Sequence, residues 1–175
     1  MGGTGVARER QEHLEVMSKS MDSDCLIRPA RADEAHALTD LAMRSKAHWG
    51  YDAAFMAKAA PVLTVTPEMI SAGRVIVLED PAGVAGLYAL SYEDDGTAEF
   101  DLLFVDPARI GAKYGARLFE HAVETARAAG AARLIVESDP NAAGFYERMG
   151  MEPAGERASP VDPVRKLPLL ALDLG

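Results

Sequence analysis

The fold that we predict for this chain follows from residues 98–129, AEFDLLFVDPARIGAKYGARLFEHAVETARAA. The first part of this stretch alternates: Phe100, Leu102 and Phe104 lie on one face of a strand, and the other face has Glu99, Asp101 and Leu103. Pro107 cannot donate to a strand ladder, so the strand ends before it. Beyond the loop, apolar residues recur at three- and four-residue spacing, which is typical of an amphipathic helix. The stretch is therefore a strand, a loop and a helix.

The loop between this strand and this helix contains Gly111 and Gly115. A helix that begins after such a loop leaves backbone N–H groups unpaired in its first turn. Those donors and the helix dipole favour an anionic ligand such as phosphate. Many strand–loop–helix units bind nothing, so the loop alone does not define a ligand.

The residues after this helix add a second strand and a short helix to the strand–loop–helix unit. Residues 131–137 (AARLIVE) indicate a second buried strand, so residues 98–137 form one crossover between parallel strands. In the segment SDPNAAGFYERMGM that follows, we expect Asn141 to cap a short helix and Gly150 to end it. Ligands of such sheets lie beyond the carboxyl ends of parallel strands, so the glycine loop and this segment should be neighbours.

This order of elements resembles the GNAT superfamily of N-acetyltransferases. In that family a Val-x-Pro break, a glycine-rich loop and a helix bind the pyrophosphate of acyl-CoA. A later Asn-x-x-x-Phe-Tyr-x-x-x-Gly segment places a tyrosine near the thioester sulfur. The matching stretches are Val105–Pro107, the loop Arg109–Gly115 and the segment Asn141–Gly150. The resemblance covers the chain from about residue 26 to its C-terminus.

The resemblance implies an α/β fold of the α+β type: a GNAT-like mixed, mostly antiparallel central sheet with a parallel β-α-β crossover, flanked by helices. Residues 1–24 are polar and glycine-bearing, so we predict a flexible N-terminal extension there. Residues 25–175 then form a single GNAT-like acyltransferase domain. The C-terminal strand, residues 166–174, is a candidate edge for a homodimer.

Charge and cysteine content restrict the partners and the location. The net charge is 18 − 27 = −9, which opposes non-specific binding to nucleic acid. Cys25 is the single cysteine, so the sequence offers no internal disulfide and no zinc site. No apolar run reaches the ~18 residues that cross a membrane. We therefore expect a cytoplasmic protein without nucleic-acid, membrane or metal partners.

The resemblance implies transfer of an acetyl group from acetyl-CoA to a primary amine of a small-molecule or amino-acid-like acceptor, by direct attack in a ternary complex. The alternative is a non-catalytic acyl-CoA-binding or regulatory module. Ile110 and Lys113 stand where the family has arginine and glycine. Either Arg109 and Lys113 supply the positive charge by another route, or pyrophosphate binding is weakened. A nucleotide-binding domain is disfavoured, because neither full phosphate-loop motif is present.

Acetyl transfer needs an unprotonated amine and a proton for the leaving thiolate. Glu99 and Asp101 are candidate bases, because alternation places both on one face of the strand. The resemblance favours Glu99 as the base. The alternative is that one or both carboxylates lie at a solvent-exposed end of the strand. Tyr146 is the candidate acid by resemblance, and ordinary packing beside Phe145 is its alternative.

The remaining site residues divide into two groups. The resemblance implies that acyl-CoA contacts the strand, the loop and the short helix: Leu103, Phe104, Val105, Arg109, Ile110, Gly111, Ala112, Lys113, Tyr114, Gly115, Ala116, Asn141, Phe145 and Tyr146. The acceptor is expected to contact an aromatic stretch and the start of the last strand: His48, Trp49, Tyr51 and Arg165. For Trp49, packing of two short helices is the alternative.

Overall fold

The centre of the molecule is a seven-stranded sheet, seen in a computed structural model that describes residues 24–175. The strands are β1 (Leu26–Pro29), β2 (Val75–Asp80), β3 (Gly83–Tyr92), β4 (Thr97–Val105), β5 (Arg133–Glu137), β6 (Glu152–Ala158) and β7 (Lys166–Asp173). Their order in space is β1-β2-β3-β4-β5-β7-β6. β4 and β5 are parallel, and the other paired strands are antiparallel. The predicted fold class is confirmed. The predicted extension lies outside the described residues, apart from Asp24.

Helices cover both faces of the sheet. They are α1 (Ala35–Ala47), α2 (Ala53–Leu63), α3 (Pro67–Ser71), α4 (Tyr114–Ala128) and α5 (Ala143–Arg148), with 3-10 turns at Ala32–Glu34 and Pro107–Arg109. The crossover helix α4 packs on β3 and β4 from one side, and α1 packs on β4 from the other. In the described part of the chain, no helix combines the length and apolarity needed to cross a membrane.

The sheet separates two apolar cores. On the α4 side, Leu118 and Leu134 are fully buried beside Tyr88. On the α1 side, Leu38 and Leu87 are buried in the same way. Complete burial of a leucine stabilises the fold by about 1.5–3 kcal/mol, so both layers contribute substantially to holding β4 in place.

A β-bulge divides β4 into two halves. Phe100 is opposite Leu90 of β3, whereas Leu102 is opposite the adjacent Ala89, so Asp101 is an extra residue without a partner in the register. Phe100 therefore packs in the core on the α4 side, and Leu102 packs in the core on the α1 side. The prediction that Phe100, Leu102 and Phe104 share a face is wrong, because the bulge shifts the alternation by one residue.

β4 and β5 pair over a short distance and then diverge. The parallel register runs from Thr97 opposite Arg133 to Phe100 opposite Val136. β4 continues to Val105, so its second half has a neighbouring strand on the β3 side alone among the described residues. A cleft opens along the free edge of β4.

The C-terminal strand is not an edge of the sheet. β7 pairs with β5 on one side and with β6 on the other, so the prediction that it offers a dimer edge is wrong. The physical reason is the connection through β6, which returns to the outer side of β7. β6 is the edge strand there, and it contains Pro153, which has no backbone N–H.

We expect Gly86→Ala to lower the free energy of unfolding by about 1–3 kcal/mol, because a Cβ there overpacks the core. It would lie 2.8 Å from Leu118 Cδ1 and 2.9 Å from the backbone oxygen of Phe104. Urea unfolding measures the change. Gly144→Ala is the matched control: its Cβ would meet only the flexible end of Arg148, and alanine favours a helix. Equal stability of wild type and Gly86→Ala would contradict this packing.

Candidate active site

The cleft between the diverging strands has a volume of about 820 Å³. The second half of β4 forms one wall, and the residues that follow β5 form the other. The glycine loop and α5 meet at this cleft, since a Cβ on Gly115 would lie 3.5 Å from the ring of Phe145. The two stretches that the sequence indicated as neighbours are therefore adjacent.

Most of the predicted site residues line this cleft. They are His48, Trp49, Glu99, Asp101, Leu103, Phe104, Val105, Ile110, Gly115, Asn141, Phe145, Tyr146 and Arg165. The other predicted residues lie outside its lining: Tyr51, Arg109, Gly111, Ala112, Lys113, Tyr114 and Ala116. Within that second group, Gly111, Ala112 and Lys113 are exposed in the loop before α4.

The start of α4 presents backbone donors. α4 has 15 residues and no side-chain hydrogen bond at its N-cap, Lys113. In the described part of the chain, the N–H groups of Tyr114, Gly115 and Ala116 have no hydrogen-bond acceptor. With the helix dipole behind them, these amides form a site for an anion such as phosphate.

Lys113 keeps the backbone conformation that glycine adopts most easily. Its φ is 61°, in the left-handed region, and it is the one non-glycine residue with positive φ among the described residues. For a side chain with Cβ, this conformation costs about 1–2 kcal/mol. The loop therefore follows a left-handed path at the position where the family has glycine, and the lysine ammonium is added to it.

Arg109 is paired with Asp80 at the end of β2. Its Nε donates to Asp80 Oδ2 over 3.2 Å, and Tyr114 donates to the same carboxylate oxygen over 3.4 Å. The Arg109 guanidinium lowers the pKa of Asp80, which stays ionised. Arg109 thus links the loop to the end of β2. The neighbouring Ile110 is 62% exposed. Sequence reasoning missed Asp80, because its turn lies about 30 residues earlier in the chain.

Glu99 is half-buried and shares a guanidinium with a second carboxylate. Arg157 of β6 lies 3.7 Å from Glu99 and 2.9 Å from Glu137. Burial raises the pKa of Glu99, and the negative charge of Glu137 adds to the effect, while Arg157 opposes it. A carboxylate with a raised pKa is a better proton acceptor once ionised.

Asp101 is differently placed. As the bulge residue it is exposed, and its carboxylate accepts a hydrogen bond of 2.8 Å from Ser91 Oγ. Arg74 forms an ion pair with its other oxygen. Both oxygens of Asp101 are therefore already engaged, whereas the ion pair of Glu99 is long.

Tyr146 lies at the buried side of the cleft, 6% exposed. Its ring centroid is 5.2 Å from that of Phe145, 6.2 Å from that of Phe100 and 6.3 Å from that of Phe119. Burial raises the pKa of Tyr146 well above its usual value, and the charge of Asp139 adds to this. The phenol is protonated at neutral pH and can donate a hydrogen bond into the cleft.

Asn141 does not cap α5, contrary to our prediction. The helix begins at Ala143 and its N-cap is Ala142, which makes no side-chain hydrogen bond. Instead Asn141 donates twice to Asp139 Oδ1, from its backbone N over 2.8 Å and from Nδ2 over 2.9 Å. Asp139 forms an Asx-type turn with Asn141, and this shifts the helix start. Gly150 ends the segment with φ of 96°, as predicted.

A polar cluster around Asp139 contributes to the wall of the cleft. Asp139 Oδ2 accepts from Lys46 Nζ over 2.5 Å and from the Tyr51 hydroxyl over 2.7 Å, and Arg165 donates to that hydroxyl over 2.5 Å. Burial disfavours the charged form of Asp139, but Lys46, Tyr51 and the Asn141 amide outweigh it, so the pKa of Asp139 is lowered. The sequence indicated Tyr51 and Arg165 and missed Lys46 and Asp139.

Aromatic rings make two further contacts among these residues and their neighbours in the chain. The ring of Tyr51 stacks on Phe55 of α2, with centroids 4.2 Å apart. Trp49 is 50% exposed at the rim of the cleft, beside His48 at a ring distance of 6.1 Å. Half of the Trp49 surface is therefore left for a ligand.

Comparison with known proteins agrees with this geometry. Residues 71–153 match a family model described as an acetyltransferase (GNAT) domain. This stretch contains the bulged strand, the glycine loop, the crossover helix and α5. The resemblance drawn from the sequence is confirmed. A search of curated proteins gave no match.

Solved structures share the fold. The PaiA N-acetyltransferase from Thermoplasma acidophilum, in complex with coenzyme A, has a TM-score of 0.72 at 14% identity, covering 85% of this chain and 98% of that chain. A GNAT family acetyltransferase from Brucella melitensis, in complex with acetyl-CoA, has a TM-score of 0.63 at 20% identity, covering 86% and 88%. N-acetylglutamate synthase from Neisseria gonorrhoeae, complexed with coenzyme A and N-acetyl-glutamate, has a TM-score of 0.62 at 22% identity, covering 86% and 35%.

We expect Gly115→Asp to weaken coenzyme A binding at least tenfold, because a carboxylate beside the α4 amides repels phosphate. Isothermal calorimetry gives the affinity. Gly115→Ala is the matched control, since its Cβ would sit at an ordinary 3.5 Å from the Phe145 ring. A folded Gly115→Asp protein with unchanged affinity would exclude these amides as the phosphate site.

Proposed function

We propose that this GNAT acetyltransferase transfers an acetyl group from acetyl-CoA to the primary amine of a small-molecule or amino-acid-like acceptor, by direct attack in a ternary complex. The observation that carries the proposal is the cleft at the free edge of β4. Gly115, whose amide is unpaired at the start of α4, lines this cleft together with Glu99 and Tyr146. The structural neighbours that contain coenzyme A or acetyl-CoA support the choice of acyl donor.

The residues present suit acetyl-CoA. The amides of Tyr114, Gly115 and Ala116 would bind its pyrophosphate, and Lys113 would add positive charge. The backbone of Leu103 to Val105 has no partner strand on the cleft side among the described residues, so it can pair with the amide groups of the pantetheine. When bound, the cosubstrate supplies an acetyl thioester.

Glu99 is the proposed base. An amine is protonated at neutral pH and becomes nucleophilic after it loses a proton. Glu99 lines the cleft, is half-buried and has a raised pKa, so it can accept that proton directly or through water. Asp101 is the second choice, because Arg74 and Ser91 already hold its carboxylate.

Tyr146 is the proposed acid. Its phenol is protonated, it lines the cleft and its hydroxyl forms no hydrogen bond within the described part of the chain. It can therefore donate to the sulfur as the thiolate leaves. The Phe100, Phe119 and Phe145 rings restrict its orientation.

A protein nucleophile is not needed. Direct attack by the amine requires only positioning and proton transfer. Cys25 contacts the Tyr114 hydroxyl over 3.4 Å and is not part of the cleft lining, so it is poorly placed to carry an acyl group.

The second candidate is a module that binds acyl-CoA without turnover. It is favoured by the pairing of Arg109 with Asp80 and by the apolar Ile110, which leave fewer cations for the phosphates. Coenzyme A affinity measured beside thiol release from acetyl-CoA, over a panel of amines, separates the two. Binding without thiol release for any amine would favour the module.

We expect Glu99→Gln to lower turnover by about 10²–10⁴-fold at neutral pH. Since Glu99 acts when ionised and its pKa is raised, wild-type turnover falls as the pH drops through that pKa, and the variant lacks this dependence. Turnover of the variant should partly recover at high pH, where free amine is abundant. Thiol-release assays over a range of pH values measure the turnover of wild type and variant. Asp101→Asn is the comparison variant; if it alone loses turnover, Asp101 is the base.

We expect Tyr146→Phe to lower turnover by about 10²-fold with coenzyme A affinity and stability largely kept. The ring and its packing remain, so only the proton donor is lost. Tyr92→Phe, on the exposed end of β3, is the control. Single-turnover kinetics should be used, so that chemistry limits the rate. Equal rates for Tyr146→Phe and wild type would leave Tyr146 with a packing role alone.

A further inference from the structure

The cleft contains two charged groups of opposite net sign. At one position, the two carboxylates of Glu99 and Glu137 share the single guanidinium of Arg157. At the other, the two cations Lys46 and Arg165 flank the single carboxylate of Asp139. The cleft therefore has excess negative charge beside the proposed base and excess positive charge around Asp139.

Arg165 is the cation that provides this excess. Lys46 is already paired with Asp139 over 2.5 Å, and its side chain is only 15% exposed. Arg165 instead donates one hydrogen bond, to the Tyr51 hydroxyl, and no carboxylate in the described part of the chain forms an ion pair with it. A guanidinium has five N–H donors, so most of those of Arg165 remain for a ligand.

The guanidinium is held in a fixed place. Its central carbon lies 5.1 Å from the Tyr51 ring centroid and 5.3 Å from that of Phe55, and these two rings stack on each other. The backbone is held as well, because Arg165 N donates to Asp162 O over 2.9 Å and Ser159 N donates to Arg165 O over 2.8 Å. A pre-oriented guanidinium loses little conformational entropy on binding an oxyanion.

We propose that the acceptor carries an anionic group, a carboxylate or a phosphate, which Arg165 binds while the amine of the same molecule faces Glu99. The inference rests on the proposed function and narrows its acceptor class. An oxyanion forms paired, charge-assisted hydrogen bonds with the planar fork of a guanidinium. The ammonium group is attracted to Glu99 and Glu137. A zwitterionic amine therefore has a partner in both charged groups, whereas a simple amine has a partner in one.

The kinetic test uses matched pairs of amines: glycine and glycinamide, phenylalanine and phenylalaninamide, and phosphoethanolamine and ethanolamine. With acetyl-CoA, wild type should favour the anionic member of at least one pair by tenfold or more in kcat/KM. Arg165→Met should remove this preference by raising KM for the anionic member, so that the kcat/KM values of the two members become equal. Arg165→Lys should keep part of the preference, since it keeps the charge and loses the fork.

A binding test does not depend on turnover. N-acetylated amino acids and their amides are titrated by calorimetry into the full chain saturated with coenzyme A. The acid should bind at least tenfold more tightly than its amide in wild type and equally in Arg165→Met. If no amine releases thiol but the acid keeps this advantage, the proposed function fails and the anion site at Arg165 stands.

Three outcomes overturn the inference. The first is that wild type binds the acid and its amide equally tightly. The second is that Arg165→Met loses the same affinity for both. The third is that wild type binds none of the acids. Arg148→Met is the comparison variant, because Arg148 is an exposed arginine in the cleft lining. If the preference for anions disappears in Arg148→Met and persists in Arg165→Met, the anion site lies at α5 and the assignment to Arg165 is wrong.

Discussion

The parallel pairing of β4 with β5 extends over four residue pairs and then stops, and the rest of the site depends on this limit. The pairing brings Glu99 beside the strand that carries Glu137. Its end frees the backbone of Leu103 to Val105. A longer ladder would fill the cleft with protein hydrogen bonds and leave no edge for a ligand. The two apolar cores hold β4 from both faces, so the edge stays open without the strand becoming loose.

The crossover could be predicted from the sequence because its signals are local. Alternation, a proline break, glycines and a helical period all lie within about 40 residues, and each has one structural meaning. The bulge at Asp101 could not be predicted, because one extra residue leaves the pattern of apolar residues unchanged and alters only their faces. The edge position of β6 was not predicted either, because the order of strands in space depends on how all the segments pair and cannot be derived from one segment.

The predicted site residues were those that belong to motifs, and the missed ones are their charged partners. Asp80, Arg157 and Lys46 come from three separate elements and carry no sequence signal of their own. Their positions come from the tertiary structure: Arg157 reaches Glu99 from β6, across β7 and β5, and Lys46 reaches Asp139 because α1 ends at the cleft. Local pattern indicates the candidate reacting groups, and tertiary structure brings the charged side chains that pair with candidate site residues.

Lys113, with its left-handed backbone conformation, affects the rate at which a polyphosphate ligand reaches the protein. The whole chain has a net charge of −9, which repels a polyphosphate at long range and slows its diffusion to the surface. Lys113 places an exposed ammonium at the tip of the loop, next to the amides of α4. It offsets the repulsion over about one Debye length, ~8 Å at physiological ionic strength, where the final approach occurs. A glycine would relax the backbone but would leave the acidic surface without this local attraction.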